Sequence, residues 1–145
     1  MTSSGTLLNQ NLARIADSFQ LQGMMATLGA KLVLVADGEV HIELPYARHL
    51  SQQHGYIHAG AIASIVDTAC GYAALTRAAP GSEVVTAEFK INVLRPAIGD
   101  SFLAMGRVIN SGKNLAVCTG EVHAYTAQSS KVIAIMQATI AVIRS

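Results

Sequence analysis

Apolar residues near the N-terminus recur in steps of four, three and four, at Leu8, Leu12, Ile15 and Phe19. That spacing gathers them on one face and predicts an amphipathic helix from Leu7 to about Leu28, lying on a surface as a cover. The period then changes to two. Val40, Ile42 and Leu44 alternate with His41 and Glu43, and Asp37-Gly38 just before them supplies a two-residue hairpin signal back to Lys31–Val35. After Pro45 the polar, irregular stretch Tyr46–Ile57 reads as a loop.

From Ala59 to about Ala78 the chain is almost entirely Ala, Gly, Ile, Val and Leu, and it stops at Pro80-Gly81. Ile62, Ile65, Val66, Ala69 and Ala73 make one wide apolar face, while Ala63, Gly71 and Ala74 leave little polar surface elsewhere. Such a helix is buried nearly all round and needs a sheet wrapped about it. Four long strand candidates follow, Glu83–Leu94, Ser101–Asn110, Leu115–Tyr125 and Lys131–Ile143, separated by turns at Pro96–Asp100, Ser111–Lys113 and Thr126–Ser130. The order predicts an α+β fold, an antiparallel sheet curled around one central helix with the first helix outside. We expect a single domain over 1–145, with a helical segment at 1–28 and the core at 29–145.

The 145 residues are 51% hydrophobic and only 13% charged, so we expect part of the apolar surface to be covered by another copy of the chain. Ten basic and nine acidic residues with no basic run argue against a nucleic-acid partner. Met1–Gly5 lacks the start of a signal peptide, and the longest apolar run, Val132–Ile143, is broken by Gln137 and Thr139, which argues against a membrane partner. Cys70 and Cys118 sit among small apolar residues and read as buried reduced thiols, which suits a cytoplasmic protein.

Against this background Asp67 is the anomaly. An ionised carboxylate in a buried helix costs several kcal/mol unless it is paired or hydrogen-bonded. It is either a structural aspartate bonded locally or a reactive group, and Ser64, Thr68 and Gly71 share its side of the helix, forming a narrow stripe that could face a cleft. The second feature is the run His54-Gly55-Tyr56-Ile57-His58-Ala59-Gly60 at the helix entrance, where unpaired backbone N–H groups can polarise a carbonyl oxygen. The plain alternative is a tight turn into a close-packed helix. His54 and His58 as metal ligands would need a helical register that Gly55 discourages, and a third ligand, so no metal is expected. Eight residues separate Ala59 from Asp67, about 12 Å along a helix, so the two features meet only if two copies pair. Counting along the third strand, Ala87, Phe89, Ile91 and Val93 point one way, which puts Thr86 with Glu88, Lys90 and Asn92 on the polar face.

The run Gly55-Tyr56-Ile57-His58-Ala59-Gly60, then Asp67 nine residues after the histidine in a small-residue helix, then a strand ending in Leu94-Arg95-Pro96, resembles the hotdog-fold acyl-CoA thioesterases of the phenylacetate-degradation (PaaI-like) type. The resemblance implies a hotdog fold and hydrolysis of an acyl-coenzyme A without a cofactor. Asp67 would be the catalytic general base or nucleophile, and the Ala59 N–H of a paired subunit would polarise the thioester carbonyl. His58 would position the substrate, Gln52 would stand where the family usually has asparagine, and Thr86 would orient the water. Gly60, Ser64 and Thr68 would line the substrate, and Arg95 and Lys113 are candidates for the coenzyme A phosphates. The partner expected is a second copy, in a dimer with composite sites that assembles further as a dimer of dimers. Two other functions fit the architecture, an acyl-thioester hydratase or dehydratase and a non-catalytic acyl-CoA-binding module.

Overall fold

In a computed structural model of the protein, residues 2–144 are described, with side chains from residue 10 onward. The N-terminal segment forms two helices where the periodicity predicts one, α1 (Thr2–Gln20) and α2 (Gly23–Leu28). Gln22 is extended (φ −79°, ψ 107°) and Gly23 is a weak helix former, so the chain turns here instead of continuing. Ile15 and Phe19 are buried as the spacing requires and Leu12 is half-buried, while the side chains of Leu7 and Leu8 lie outside the described residues.

Strands β1 (Lys31–Ala36) and β2 (Glu39–Pro45) form the predicted hairpin, with Gly38 at φ +73° in the turn. The central helix α3 runs Ala59–Leu75, three residues short of the expected end. Thr76 ends it: its Oγ1 donates to the Ala73 carbonyl at 2.6 Å and accepts the Gly38 N–H at 2.8 Å. Asn11 of α1 donates to the carbonyls of Thr76 (3.2 Å) and Ala78 (3.4 Å), so one polar knot joins α1, the hairpin turn and the end of α3.

Strands β3 (Ser82–Val93), β4 (Ser101–Ser111), β5 (Leu115–Tyr125) and β6 (Ser130–Arg144) complete one antiparallel sheet in the order β1-β2-β4-β5-β6-β3. This matches the predicted α+β architecture. Ile62, Ile65, Val66, Ala69 and Ala73 are fully buried where α3 lies on the sheet. The approach is close because two strand residues lack a side chain. A Cβ on Gly106 would stand 2.5 Å from the Ala69 carbonyl carbon, and one on Gly120 would stand 2.5 Å from Val66 Cγ2.

The strand that matters most for the site is β3, at the sheet edge. Its register against β6 slips between Thr86 and Glu88, so Ala87 is an extra residue. Thr86 pairs with the buried Ile140, and Phe89 pairs with the buried Ala138. Thr86 and Phe89 therefore share the helix-facing side. This corrects the strict alternation that put Thr86 on the outer face: a bulge reverses the parity of everything beyond it.

Candidate active site

Asp67 is half-buried on α3 and faces β3, where Thr86 Oγ1 donates to its Oδ1 at 2.7 Å. The pair opens on a cavity of about 220 Å³ whose wall includes Thr68, Gly71, Tyr72 and Val84. The apolar helix thus carries its carboxylate to a cleft, and a hydroxyl offsets part of the cost of desolvating it.

The entrance of α3 is built by the loop before it. Ile57 is buried and its N–H donates to the Ala97 carbonyl at 3.1 Å, while the His58 N–H donates to the Leu50 carbonyl at 2.9 Å. These bonds fix His58 as N-cap, with its Nδ1 accepting the Gly60 N–H at 2.8 Å. With Nδ1 engaged as an acceptor, Nε2 is the ring nitrogen left to face a ligand. Ala59 is the first helical residue and is exposed, so its N–H points out of the helix start with no acceptor behind it in the helix.

Gln52 is turned back onto its own loop, where its Oε1 accepts the His54 N–H at 2.5 Å. Ser64 Oγ donates to the Gly60 carbonyl and Thr68 Oγ1 to the Ser64 carbonyl, both at 2.8 Å, so each hydroxyl is spent on its own helix one turn back. Thr68 still borders the Asp67 cavity. The two proposed phosphate contacts are far apart. Arg95 bonds the Val132 carbonyl and Lys113 receives a bond from Arg144, at opposite ends of β6. Val132 and Val142 are ten residue steps apart, about 34 Å of strand.

Within one chain, then, Asp67 and Thr86 come together, and His58, Ala59 and Gly60 come together. Eight residues of continuous helix, about 12 Å, hold the two groups apart. Tyr72, Ser18 and Gln22, which sequence reasoning missed, also border the Asp67 cavity. Cys70 and Cys118 are free and buried, and Cys118 Sγ donates to the Cys70 carbonyl at 3.5 Å. Burial pushes the Cys118 thiol up to about 11. It raises Cys70 further, with Cys118 and Asp67 adding to the effect.

The family model of the thioesterase superfamily matches residues 54–130, which include the α3 entrance, Asp67 and Thr86. The chain belongs to the thioesterase superfamily. A Silicibacter pomeroyi thioesterase family protein of known crystal structure is 38% identical, with a TM-score of 0.90 over 95% of this chain and 99% of that one. The E. coli PaaI protein from the phenylacetic acid degradation operon shares the fold at 23% identity, with a TM-score of 0.82 over 94% of this chain and 96% of that one. A Saccharolobus solfataricus protein whose esterase designation is provisional is 33% identical over 90 residues, 62% of this chain and 64% of its own length. The architecture of this superfamily member is the hotdog fold expected from its sequence, with the helical N-terminal segment added. Among the described residues no helix is long and apolar enough to cross a membrane.

Proposed function

We propose that this thioesterase-superfamily protein hydrolyses acyl-coenzyme A thioesters to the free acid and coenzyme A. The observation that carries the reading is the position of Asp67: its carboxylate borders a cavity and is held by Thr86 at 2.7 Å instead of being sealed in the core. A thioester carbonyl is electrophilic and its thiolate leaving group needs little protonation. One carboxylate and one donor to the developing oxyanion are then sufficient parts, and the route calls on no cofactor. Thr86 engages Oδ1, which leaves Oδ2 to take a proton from water or to attack the acyl carbon itself.

The oxyanion donor in this reading is the Ala59 N–H of a second copy. Three observations support the pairing. The 12 Å separation along α3 is too long for one chain to place both groups at one carbon, since reacting atoms must stand near 3 Å. The Gly60 N–H is already taken by His58, so Ala59 is the donor left at the helix start. Strand β3 is a sheet edge that exposes Val85, Phe89 and Val93 at 52%, 44% and 45%, an apolar rim suited to a partner. A dimer of this kind, doubling to a tetramer in a reducing cytoplasm, completes the proposal.

Single-turnover hydrolysis in oxygen-18 water tests it. Label appearing in Asp67 identifies a covalent anhydride opened by water at the aspartyl carbon. Label only in the product acid fits a general base or opening at the acyl carbon, which trapping of an acyl-Asp67 by hydroxylamine separates. An Asp67→Asn protein with unchanged turnover overturns the assignment altogether.

A further inference from the structure

Gly71 lies one turn beyond Asp67 and one turn before the end of α3, still inside the helix, where glycine is less favourable than alanine. Packing does not require it. A Cβ built at Gly106 or Gly120 strikes atoms at 2.5 Å, whereas one at Gly71 meets nothing within 4 Å. The open space beside Gly71 is the cavity that Asp67 and Thr86 border. Asp67, Gly71 and Leu75, at successive turns of one helix face, line it on one side, and Val84 and Thr86 of β3 line it on the other.

Tyr72, with Ser18 and Gln22, adds a polar cluster to the lining. The Tyr72 hydroxyl accepts from Gln22 Nε2 at 2.7 Å and shares a 2.9 Å hydrogen bond with Ser18 Oγ. Among the described residues the Gln22 amide oxygen has no partner, so it can accept a hydrogen bond from a ligand hydroxyl. Ser18 lies in the last turn of α1 and Gln22 immediately precedes α2, so the chain on both sides of the interruption borders the cavity.

We infer that this cavity is the acyl slot, that Gly71 keeps it open, and that Gln22 and Tyr72 select a short acyl group bearing a hydroxyl at its far end. The inference rests on the acyl-coenzyme A reading above. The groove, about 220 Å³ and open to solvent on one side, has room for a short acyl chain and not for a long one, and six carbons serve as the test length.

The test is kcat/KM for acetyl-, hexanoyl-, 6-hydroxyhexanoyl- and dodecanoyl-CoA with the wild type and with Gly71→Ala, Gly71→Met, Gln22→Leu and Tyr72→Phe. For the wild type we expect hexanoyl well above dodecanoyl, and 6-hydroxyhexanoyl above hexanoyl by about 3- to 10-fold. Gly71→Met should lower the hexanoyl-to-acetyl ratio by about 10-fold or more. Gly71→Ala should lower it in the same direction while raising Tm by about 2–4 °C, an outcome no packing role for the glycine predicts. Gln22→Leu and Tyr72→Phe should remove the preference for the hydroxylated chain. Ratios unchanged by Gly71→Ala and Gly71→Met, equal use of dodecanoyl-CoA, or a hydroxyl preference that survives Gln22→Leu would each overturn the slot and leave the thioesterase reading standing. A wild type that turns over an aryl substrate such as phenylacetyl-CoA but none of these four overturns the slot alone, and one that turns over none of the five overturns both.

Discussion

The hydroxyl of Thr86 reaches the carboxylate of Asp67 at 2.7 Å across the gap between β3 and α3. It does so because Ala87 is an extra residue in β3, which turns Thr86 toward the helix and sends Glu88 outward. The bulge thus acts on chemistry through orientation: it re-aims one side chain at one carboxylate oxygen. Removing the hydroxyl while keeping the shape should cost the interaction alone. Thr86→Val is expected to lower kcat by roughly 10- to 100-fold with KM nearly constant, as for a lost hydrogen bond to a charged group, and Thr86→Ser should recover most of it. Steady-state kinetics on the three proteins decide the matter, and a change in KM alone would contradict this role.

Ala59 allows an unusually clean deletion of a backbone donor. It is the first residue of α3, where proline is well tolerated, and His58 before it is already extended at φ −60° and ψ 137°, as a residue preceding proline must be. Ala59→Pro should keep the fold by circular dichroism and lose about 10²- to 10³-fold in kcat.

Mixing inactive variants tests whether the site is shared between copies. In a dimer with composite sites, Asp67→Asn subunits retain Ala59 and Ala59→Pro subunits retain Asp67, so each heterodimer holds one intact site. Equal amounts, allowed to exchange, should recover about a quarter of wild-type activity. No recovery under conditions where subunits demonstrably exchange would place the whole site within one chain.

The polar knot at the end of α3 predicts a stability effect. Thr76→Val leaves the Gly38 N–H and its surroundings without their partner in a buried setting, and should lower unfolding free energy by about 1–3 kcal/mol in urea titration. Asn11→Ala should act in the same direction, through the carbonyls of Thr76 and Ala78.

The two thiols predict a response to alkaline pH. Cys118 rises from an ordinary 9.0 to about 11 on folding because burial disfavours the thiolate. The unfolded chain therefore gives up this proton first, between pH 9 and 11, and stability falls across that window as pH rises. Cys118→Ala should flatten the fall. In the native protein at pH 8, both thiols should resist alkylation until denaturant is added.

Much of this molecule was legible in its sequence for a definite reason: burial forces periodicity. Ile62, Ile65, Val66, Ala69 and Ala73 mark the sheet-facing side of α3, and Val40, Ile42 and Leu44 mark the core side of β2, all of them fully buried. Asp67 stood out because charge in such a helix is expensive. Thr86 was misplaced because counting by twos assumes an unbroken ladder, and Ala87 carries no glycine to betray the bulge. The odd interval between the inward-facing Val84 and Phe89 is the one trace it leaves in the sequence. The interruption at Leu21-Gln22 was equally quiet, since Gly23 was its only sign, and with it went the contribution of Gln22 to the Asp67 cavity. The Tyr72 hydroxyl was hidden for another reason: its partners lie about 50 residues away in sequence, so no local pattern encodes them.

The strand that steadies the carboxylate is also the open rim of the sheet. In the proposed dimer, a partner seated on that rim would stand one strand's width from the Asp67 carboxylate, so assembly and turnover would be linked through β3. Damage to the joint should announce itself first as sluggish kinetics, and only later as particles that come apart.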